Sequence, residues 1–152
     1  MSTDKRVKNQ LPVSLDKGIV YLKELRSKAK SINSCILMQR LDHYFDQKPD
    51  GFYKFLEPSP GNQEYQEGNS WTEDLNFSAE EFRTAFSNIG ITYNSKTSFQ
   101  QAENKFLDTK VNEEKFYCSY LDRISKLTFY FRNHSLVDSF LDTLILQLKK
   151  EA

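Results

Sequence analysis

Several components are scarce in this chain of 152 residues, which has two cysteines, four prolines, five glycines and no net charge. Cys35 and Cys118 sit in apolar or aromatic surroundings without C-x-x-C spacing, which predicts two small buried residues in a reducing cytoplasm rather than a disulfide. No apolar run approaches the roughly 20 residues that span a bilayer, and the first residues lack an apolar signal core. We therefore expect no membrane-spanning or secretory segment.

Sequence signatures of enzyme chemistry are also missing. There is no G-x-S-x-G, phosphate loop, G-x-G-x-x-G or H-E-x-x-H. His43 and His134 lie far apart, and neither has a cysteine or carboxylate cluster at ligand spacing. Asp42, Asp46 and Asp50 recur every four residues, which fits an acidic helix face. We expect no catalysis, no metal site and no cofactor.

Aromatic residues, in contrast, are abundant, with 12 Phe and 8 Tyr. They supply enough apolar burial to predict one globular domain over residues 13–152, behind a flexible basic arm over residues 1–12. Residues 1–30 carry eight Lys/Arg against three Asp/Glu, whereas residues 31–90 carry four against ten. The zero net charge argues mildly against strong non-specific binding to nucleic acid, but a chain divided in this way can bind a polyanion through one face.

The most informative segment is 70–90, which encodes two helix starts eight residues apart. Ser70 with Glu73, and Ser78 with Glu81, each form an S-x-x-E capping box. The second helix has a buried face at helical spacing, made of Phe82, Ala85, Phe86 and Ile89. Gly90 then offers a left-handed residue to end it. Two short helices joined by a tight turn predict a helix-turn-helix, a motif whose second helix most often enters a DNA groove.

The remaining patterns complete an α+β, mainly α prediction: a winged helix-turn-helix with a long C-terminal helix. Alternating aromatic runs over 115–121 and 126–132 predict a β-hairpin with a basic tip, and half of these aromatics should face the core while the others cover the C-terminal helix. Ser135 and Asp138 should cap that last helix. The further expected elements are helices over 14–30 and 33–45, strands over 52–56 and 91–93, and a short helix within 94–114.

The segment INSCILMQRLDHYFD, followed by a turn and GFYKF, resembles the opening of winged-helix domains in plasmid and prophage proteins. These include the N-terminal domains of replication initiators and related regulatory proteins. In that family a strand precedes a short helix with a tryptophan and then a capped recognition helix, which match Trp71 and residues 78–88 here. The resemblance covers roughly residues 32–133 and implies a winged helix more strongly than any one function.

We interpret the chain as a protein that binds duplex DNA in replication or transcription control of a mobile element. Arg83 could read a guanine or a phosphate, Asn88 an adenine edge, and the hydroxyls of the helix could meet phosphates. The alternative is an ordinary solvated helix face and a tip charged only for solubility. The candidate DNA-binding residues are Thr72, Ser78, Arg83, Thr84, Ser87, Asn88, Lys96, Arg123 and Lys126.

A second hypothesis uses the same fold as an adaptor between proteins, because Glu80 and Glu81 open the expected recognition helix. A face on which Arg83 and the other candidate cations are continuous would favour DNA. A face dominated by Glu80, Glu81 and Asp74 would favour a basic protein partner. The wide apolar stripe of the C-terminal helix could dock in its own domain or form a homodimer with a second copy.

Overall fold

The computed structural model describes residues 21–151 of the chain. It is a mixed α+β fold in which helix predominates and a long helix ends the chain, so this part of the fold prediction is confirmed. The expected arm over 1–12 and the start of the helix expected over 14–30 lie outside the described residues. The helices are α1 (Arg26–Ala29, after a 3-10 turn at Lys23–Leu25), α2 (Ile32–Gln47), α3 (Trp71–Leu75), α4 (Ala79–Ile89), α5 (Lys96–Gln101) and α6 (His134–Glu151). The strands are β1 (Phe52–Tyr53), β2 (Gly90–Tyr93), β3 (Leu107–Asp108), β4 (Glu113–Glu114), β5 (Tyr117–Asp122) and β6 (Leu127–Arg132).

Helix α2 is the scaffold on which the helix pair α3–α4 rests. It begins where the Ser31 hydroxyl accepts a hydrogen bond from the Ser34 amide at 3.0 Å. The buried Ser34 hydroxyl donates to the Ala85 carbonyl of α4 at 2.8 Å, so one polar contact joins the two helices inside the apolar interface. The inner face of α2 buries Leu37, Leu41 and Phe45.

The main sheet has the strand order β1-β6-β5-β2. Strands β5 and β6 form the expected hairpin, in register from Tyr117 opposite Arg132 to Asp122 opposite Leu127. Strand β1 lies antiparallel to β6, and β2 lies parallel to β5 on the other edge. A separate pair, β3–β4, is formed within the segment between α5 and β5.

The core lies between the helices and one face of this sheet. Trp71 of α3 is fully buried and stacks on Phe82 of α4, with ring centroids 5.1 Å apart. Tyr130 of β6 meets Trp71 edge-on at 5.7 Å and stacks on Phe52 of β1 at 5.5 Å. Because large rings bury much area and prefer these offset or edge geometries, they fix the helix pair against the hairpin.

The other face of the sheet carries a second aromatic cluster. Tyr120 stacks on Phe129 at 5.3 Å and on Phe131 at 5.8 Å. Phe99 of α5 covers them at 4.7 Å from Tyr120. The expectation that these rings cover the C-terminal helix was wrong for this set, because α5 takes that place; Phe116, by contrast, stacks on Phe140 of α6 at 5.5 Å.

Gly90 does not end α4 in the left-handed conformation expected of it. Its backbone is extended (φ −150°, ψ 171°), and it begins β2 directly. Glycine is needed there for space, since a Cβ at this position would lie 2.6 Å from Cζ of the buried Phe86 ring. The left-handed turn residue of this region is instead Asn76, between the two helices (φ 56°).

The start of the last helix also differs from the sequence prediction. Helix α6 begins at His134, and the side chain of Asn133, rather than Ser135, accepts from the Leu136 amide at 3.3 Å. Asp138 is drawn to Arg132 instead, with Oδ1 2.7 Å from Nη2.

The strand expected over 52–56 is only Phe52–Tyr53. The chain then leaves the sheet, so that the carbonyls of Phe55 and Leu56 accept from the first two amides of α3, Trp71 at 2.8 Å and Thr72 at 3.0 Å. These bonds satisfy orphan donors at the start of a very short helix.

Candidate nucleic-acid interface

The pair α3–α4 has both capping boxes that the sequence predicted. At α3 the Ser70 hydroxyl accepts from the Glu73 amide at 3.3 Å, and Glu73 accepts from the Ser70 amide at 3.2 Å. At α4 the corresponding Ser78 and Glu81 distances are 3.1 and 2.8 Å. Each helix start is therefore stabilised by its own serine and glutamate, although α3 has only five residues.

The α3 box extends into the long loop before it. Glu73 also accepts from the Tyr65 hydroxyl at 2.6 Å and from the Gly68 amide at 2.9 Å. Hydrogen bonds from Tyr65 and Ser70 lower the pKa of Glu73 to about 2. This carboxylate is therefore ionised at neutral pH and engaged with its own loop.

Behind α3 lies an ion cluster that the sequence did not predict. Arg40 of α2 donates to both carboxylate oxygens of Asp74, through Nη2 at 2.9 Å and Nε at 3.1 Å. The Tyr44 hydroxyl donates to the same carboxylate at 2.6 Å. The ammonium of Lys54, whose side chain is 2% exposed, lies 3.4 Å from Asp74 Oδ2 and donates to Asn69 Oδ1 at 3.0 Å.

The cluster is electrostatically coupled. Burial lowers the pKa of Lys54, and the attraction of Asp74 only partly offsets that effect. Burial raises the pKa of Asp74, but hydrogen bonds from Arg40 and Tyr44 and the charge of Lys54 outweigh it, and the net direction is downward. The Lys54 ammonium also lies 5.0 Å from the Trp71 ring centroid. Asp74 therefore faces inward and binds α3 to α2, and does not add negative charge to the outer face.

The outer face of α4 presents three of the candidate side chains together. Arg83, Thr84 and Ser87 are all exposed. The Ser87 hydroxyl donates to the backbone carbonyl of Thr84 at 2.8 Å, and Ser87 lies four positions after Arg83, on the same side of the helix. Glu80 and Glu81 are exposed at the start of the same helix. This face can offer a guanidinium and the Thr84 hydroxyl as donors to a polyanion, next to two carboxylates, whereas the Ser87 hydroxyl must first turn away from the Thr84 carbonyl.

Three other candidates are occupied by contacts within the protein. Asn88 is half-buried, and its amide donates to the Ser34 hydroxyl at 3.0 Å, so it joins α4 to α2. The Thr72 hydroxyl lies 3.2 Å from that of Ser70, next to the α3 box. The Ser78 hydroxyl caps α4. Ser78 and Thr72 remain at the two helix starts, whereas Asn88 is directed toward α2.

The last three candidates lie around the tip of the β5–β6 hairpin. Arg123 is exposed, and its Nε donates to the Asn94 carbonyl after β2 at 3.2 Å. Lys126 is exposed in a left-handed conformation (φ 63°) that closes the turn. Lys96, at the start of α5, is near enough to Asp122 to help lower the pKa of that carboxyl, although the main cause is the hydrogen bond from the Ile124 amide. The fold therefore gathers Lys96, Arg123 and Lys126 at one end of the hairpin.

Residues 21–151 also bear on a metal site and on a membrane-spanning helix. Within that range no group of three or more His, Cys, Asp or Glu residues could hold a metal ion. In the same range no helix is long and apolar enough to cross a membrane. Both cysteines are free and buried.

Comparison with protein-family models, with curated proteins and with solved structures found no match to this chain.

Proposed function

We propose that this chain is a winged-helix protein that binds duplex DNA without catalysing a reaction on it. The element order supports the proposal: helix α2, strand β1, the pair α3–α4 and then the hairpin β5–β6, with β1 added to the free side of β6. In winged helices the second helix of such a pair enters the major groove and the hairpin lies alongside. Strand β2 and the segment to β4 are additions inserted between the helix pair and the hairpin.

The observation that carries the proposal is the outer face of α4. A capped, rigidly seated helix presents Arg83, Thr84 and Ser87 outward, while Asp74 and Glu73 are each held by hydrogen bonds within the protein. Arg83 would contact a base edge or a phosphate, and the hydroxyls would meet phosphates. Helix α3 would brace α4 from behind. A role in replication or transcription control of a plasmid or prophage is the part of the proposal that the resemblance over residues 32–133 suggests.

Selection of bound duplexes from a randomised pool tests the proposal. We expect one sequence motif to be enriched, and Arg83→Ala to weaken binding to it by about 1–3 kcal/mol if the arginine meets a base. Lys48→Ala is the matched control, because Lys48 is an exposed cation beyond the far end of α2, about 20 Å along the helix from Ser34. If no motif is enriched, or if the two variants weaken DNA binding equally, α4 does not recognise a DNA sequence.

An adaptor between proteins is the second candidate, and Glu80 and Glu81 favour it. With Ser31, Asn33 and Thr84 they line a cleft of about 310 Å³ between the starts of α2 and α4, where a basic side chain of a partner could bind. Glu80→Gln separates the two functions while leaving the α4 cap intact. DNA binding should strengthen because a charge that repels phosphate is removed, whereas binding of a basic protein partner should weaken.

A homodimer through α6 is a further part of this proposal. Ile145 and Leu146 are 48% and 61% exposed on a helix whose inner residues, Val137 and Leu144, are buried. In an antiparallel pairing of two α6 helices, the acidic Asp142 would lie near the basic last turn of the other copy. Sedimentation equilibrium should show a dimer that Leu146→Asp dissociates. A monomer at all concentrations would contradict this pairing.

A further inference from the structure

The tip of the β5–β6 hairpin exposes an apolar side chain almost completely. Ile124 is 97% exposed, more than any other large hydrophobic residue among those described, whereas Val111, in the β3–β4 turn, is 61% exposed. Single exposed hydrophobic residues are common on proteins and need no function. Ile124 differs from these residues because hydrogen bonds hold the turn that carries it in one conformation.

Four hydrogen bonds hold this tip in one conformation. Within the turn, the Asp122 carboxylate accepts from the Ile124 amide at 3.0 Å, and the Asp122 carbonyl accepts from the Lys126 amide at 2.7 Å. Two more bonds tie the tip to distant segments: Arg123 Nε to the Asn94 carbonyl at 3.2 Å, and Asn62 Nδ2 to the Ser125 carbonyl at 3.1 Å. A side chain on such a tip can enter a partner without first paying the entropy of ordering its loop.

The charges around Ile124 fit a polyanion. Arg123 and Lys126 flank it, and Lys96 lies near the same end of the hairpin. The Asp122 carboxylate is turned into the loop, where it accepts a hydrogen bond from the Ile124 amide. An apolar point with cations on either side is the arrangement used by proteins that wedge a side chain between base steps from the minor groove.

The small free energy gained by burying one isoleucine favours duplex DNA over a membrane as the partner. Burial of one isoleucine stabilises a complex by only a small part of what stable binding requires. A single myristoyl chain, which is much larger, gives only marginal and reversible binding to a bilayer. One isoleucine is therefore too small to anchor the protein to a bilayer, whereas partial unstacking of a base step needs only one apolar side chain.

We propose that the β5–β6 tip is a DNA wedge, in which Ile124 inserts between adjacent base pairs from the minor groove while Arg123 and Lys126 contact the flanking phosphates. The proposal rests on the duplex binding proposed above. The insertion kinks the duplex, by roughly 20–90° for wedges of this kind. Because pyrimidine–purine steps unstack most easily, TA steps are the preferred place of insertion.

A bending experiment tests the wedge. The probe is a duplex of about 25 base pairs with central TA steps, labelled with a donor and an acceptor at its ends, and its binding is followed in parallel by anisotropy. The wild type should raise energy transfer between the ends. Ile124→Ser should abolish this rise while weakening binding by no more than about tenfold, which corresponds to about 1.4 kcal/mol. Val111→Ser, a matched change at another exposed apolar turn residue, should bind and bend like the wild type.

The outcomes distinguish the wedge from the proposed function. If the wild type binds without a rise in energy transfer, or if Ile124→Ser bends the duplex equally, the wedge is overturned and DNA binding stands. If the wild type binds no duplex, both proposals fall. If it sediments with vesicles of phosphatidylglycerol and phosphatidylcholine and Ile124→Ser does not, while both bend DNA alike, a membrane is the partner of Ile124 and the wedge is overturned.

Discussion

Replacement of Asp74 by asparagine tests how the helix pair is held to α2. The substitution keeps the size of the side chain but removes the negative charge that lies 2.9 Å from Arg40 Nη2 and 3.4 Å from Lys54 Nζ. The Lys54 side chain is only 2% exposed, and the substitution removes the anion that stabilises its charge against burial. Removing one partner of a buried ion pair typically costs about 3–5 kcal/mol, and we expect about 3 kcal/mol here because the Arg40 side chain is 35% exposed.

The assay is urea denaturation followed by the fluorescence of Trp71, the only tryptophan of the chain, whose ring lies 5.0 Å from the Lys54 ammonium. For a chain of this length, 3 kcal/mol corresponds to a fall in melting temperature of about 6–12 °C. Lys54→Met alone should cost less, because Asp74 keeps Arg40 and Tyr44 as partners. The double variant should recover most of the loss, since an apolar side chain replaces an unpaired buried cation.

The pH dependence of the same variant follows from the lowered pKa of Asp74. A carboxyl whose pKa is lower in the folded than in the unfolded chain stabilises the fold at neutral pH, and this contribution is lost as the pH falls below about 4. The free energy of unfolding should therefore fall less steeply with acid in Asp74→Asn than in the wild type. A loss below about 1 kcal/mol, or effects of Lys54→Met and Asp74→Asn that simply add, would refute the reasoning.

Three further experiments test local features of the fold. Gly90→Ala should lower the free energy of unfolding by about 1–3 kcal/mol in urea titration, because the new Cβ would meet the Phe86 ring, whereas Gly61→Ala, with nothing within 4 Å, should not. Asn76→Ala should cost about 1 kcal/mol and Asn76→Gly almost nothing in the same titration, because φ is 56° there. Burial raises the pKa of Cys118 to about 12, so stability should fall as the pH rises above about 9, and Cys118→Ala should reduce this fall in thermal melts at successive pH values.

The parts of the fold that could be predicted from sequence depend on short-range signals. The two capping boxes each span four residues, so Ser70 and Ser78 could be assigned without any tertiary information. The β5–β6 hairpin could also be predicted, since the alternation of apolar and polar residues and the polar turn are local features of the sequence. The left-handed residue was placed wrongly at Gly90 because glycine is needed there for the Phe86 ring, which is a packing constraint that no turn rule contains.

The ion cluster could not be predicted because its members come from separate elements. Arg40 and Asp74 are 34 positions apart, and Lys54 reads only as one polar residue in an aromatic run. The inward direction of Asn88 is indicated by its spacing, since it lies three positions after the buried Ala85, on the side that faces the polar Ser34 of α2. Buried polar pairs of this kind depend on how two helices meet, which sequence periodicity leaves open.

Salt dependence of duplex binding tests the central claim most directly. Each phosphate neutralised by a cation lowers the logarithm of the binding constant by about 0.9 per logarithmic unit of salt. If Arg83, Lys96, Arg123 and Lys126 meet phosphates, an anisotropy titration should give a slope of about −3 to −4, reduced by about 1 in Lys126→Ala. No binding to duplex at low salt, or binding that salt does not weaken, would contradict the account.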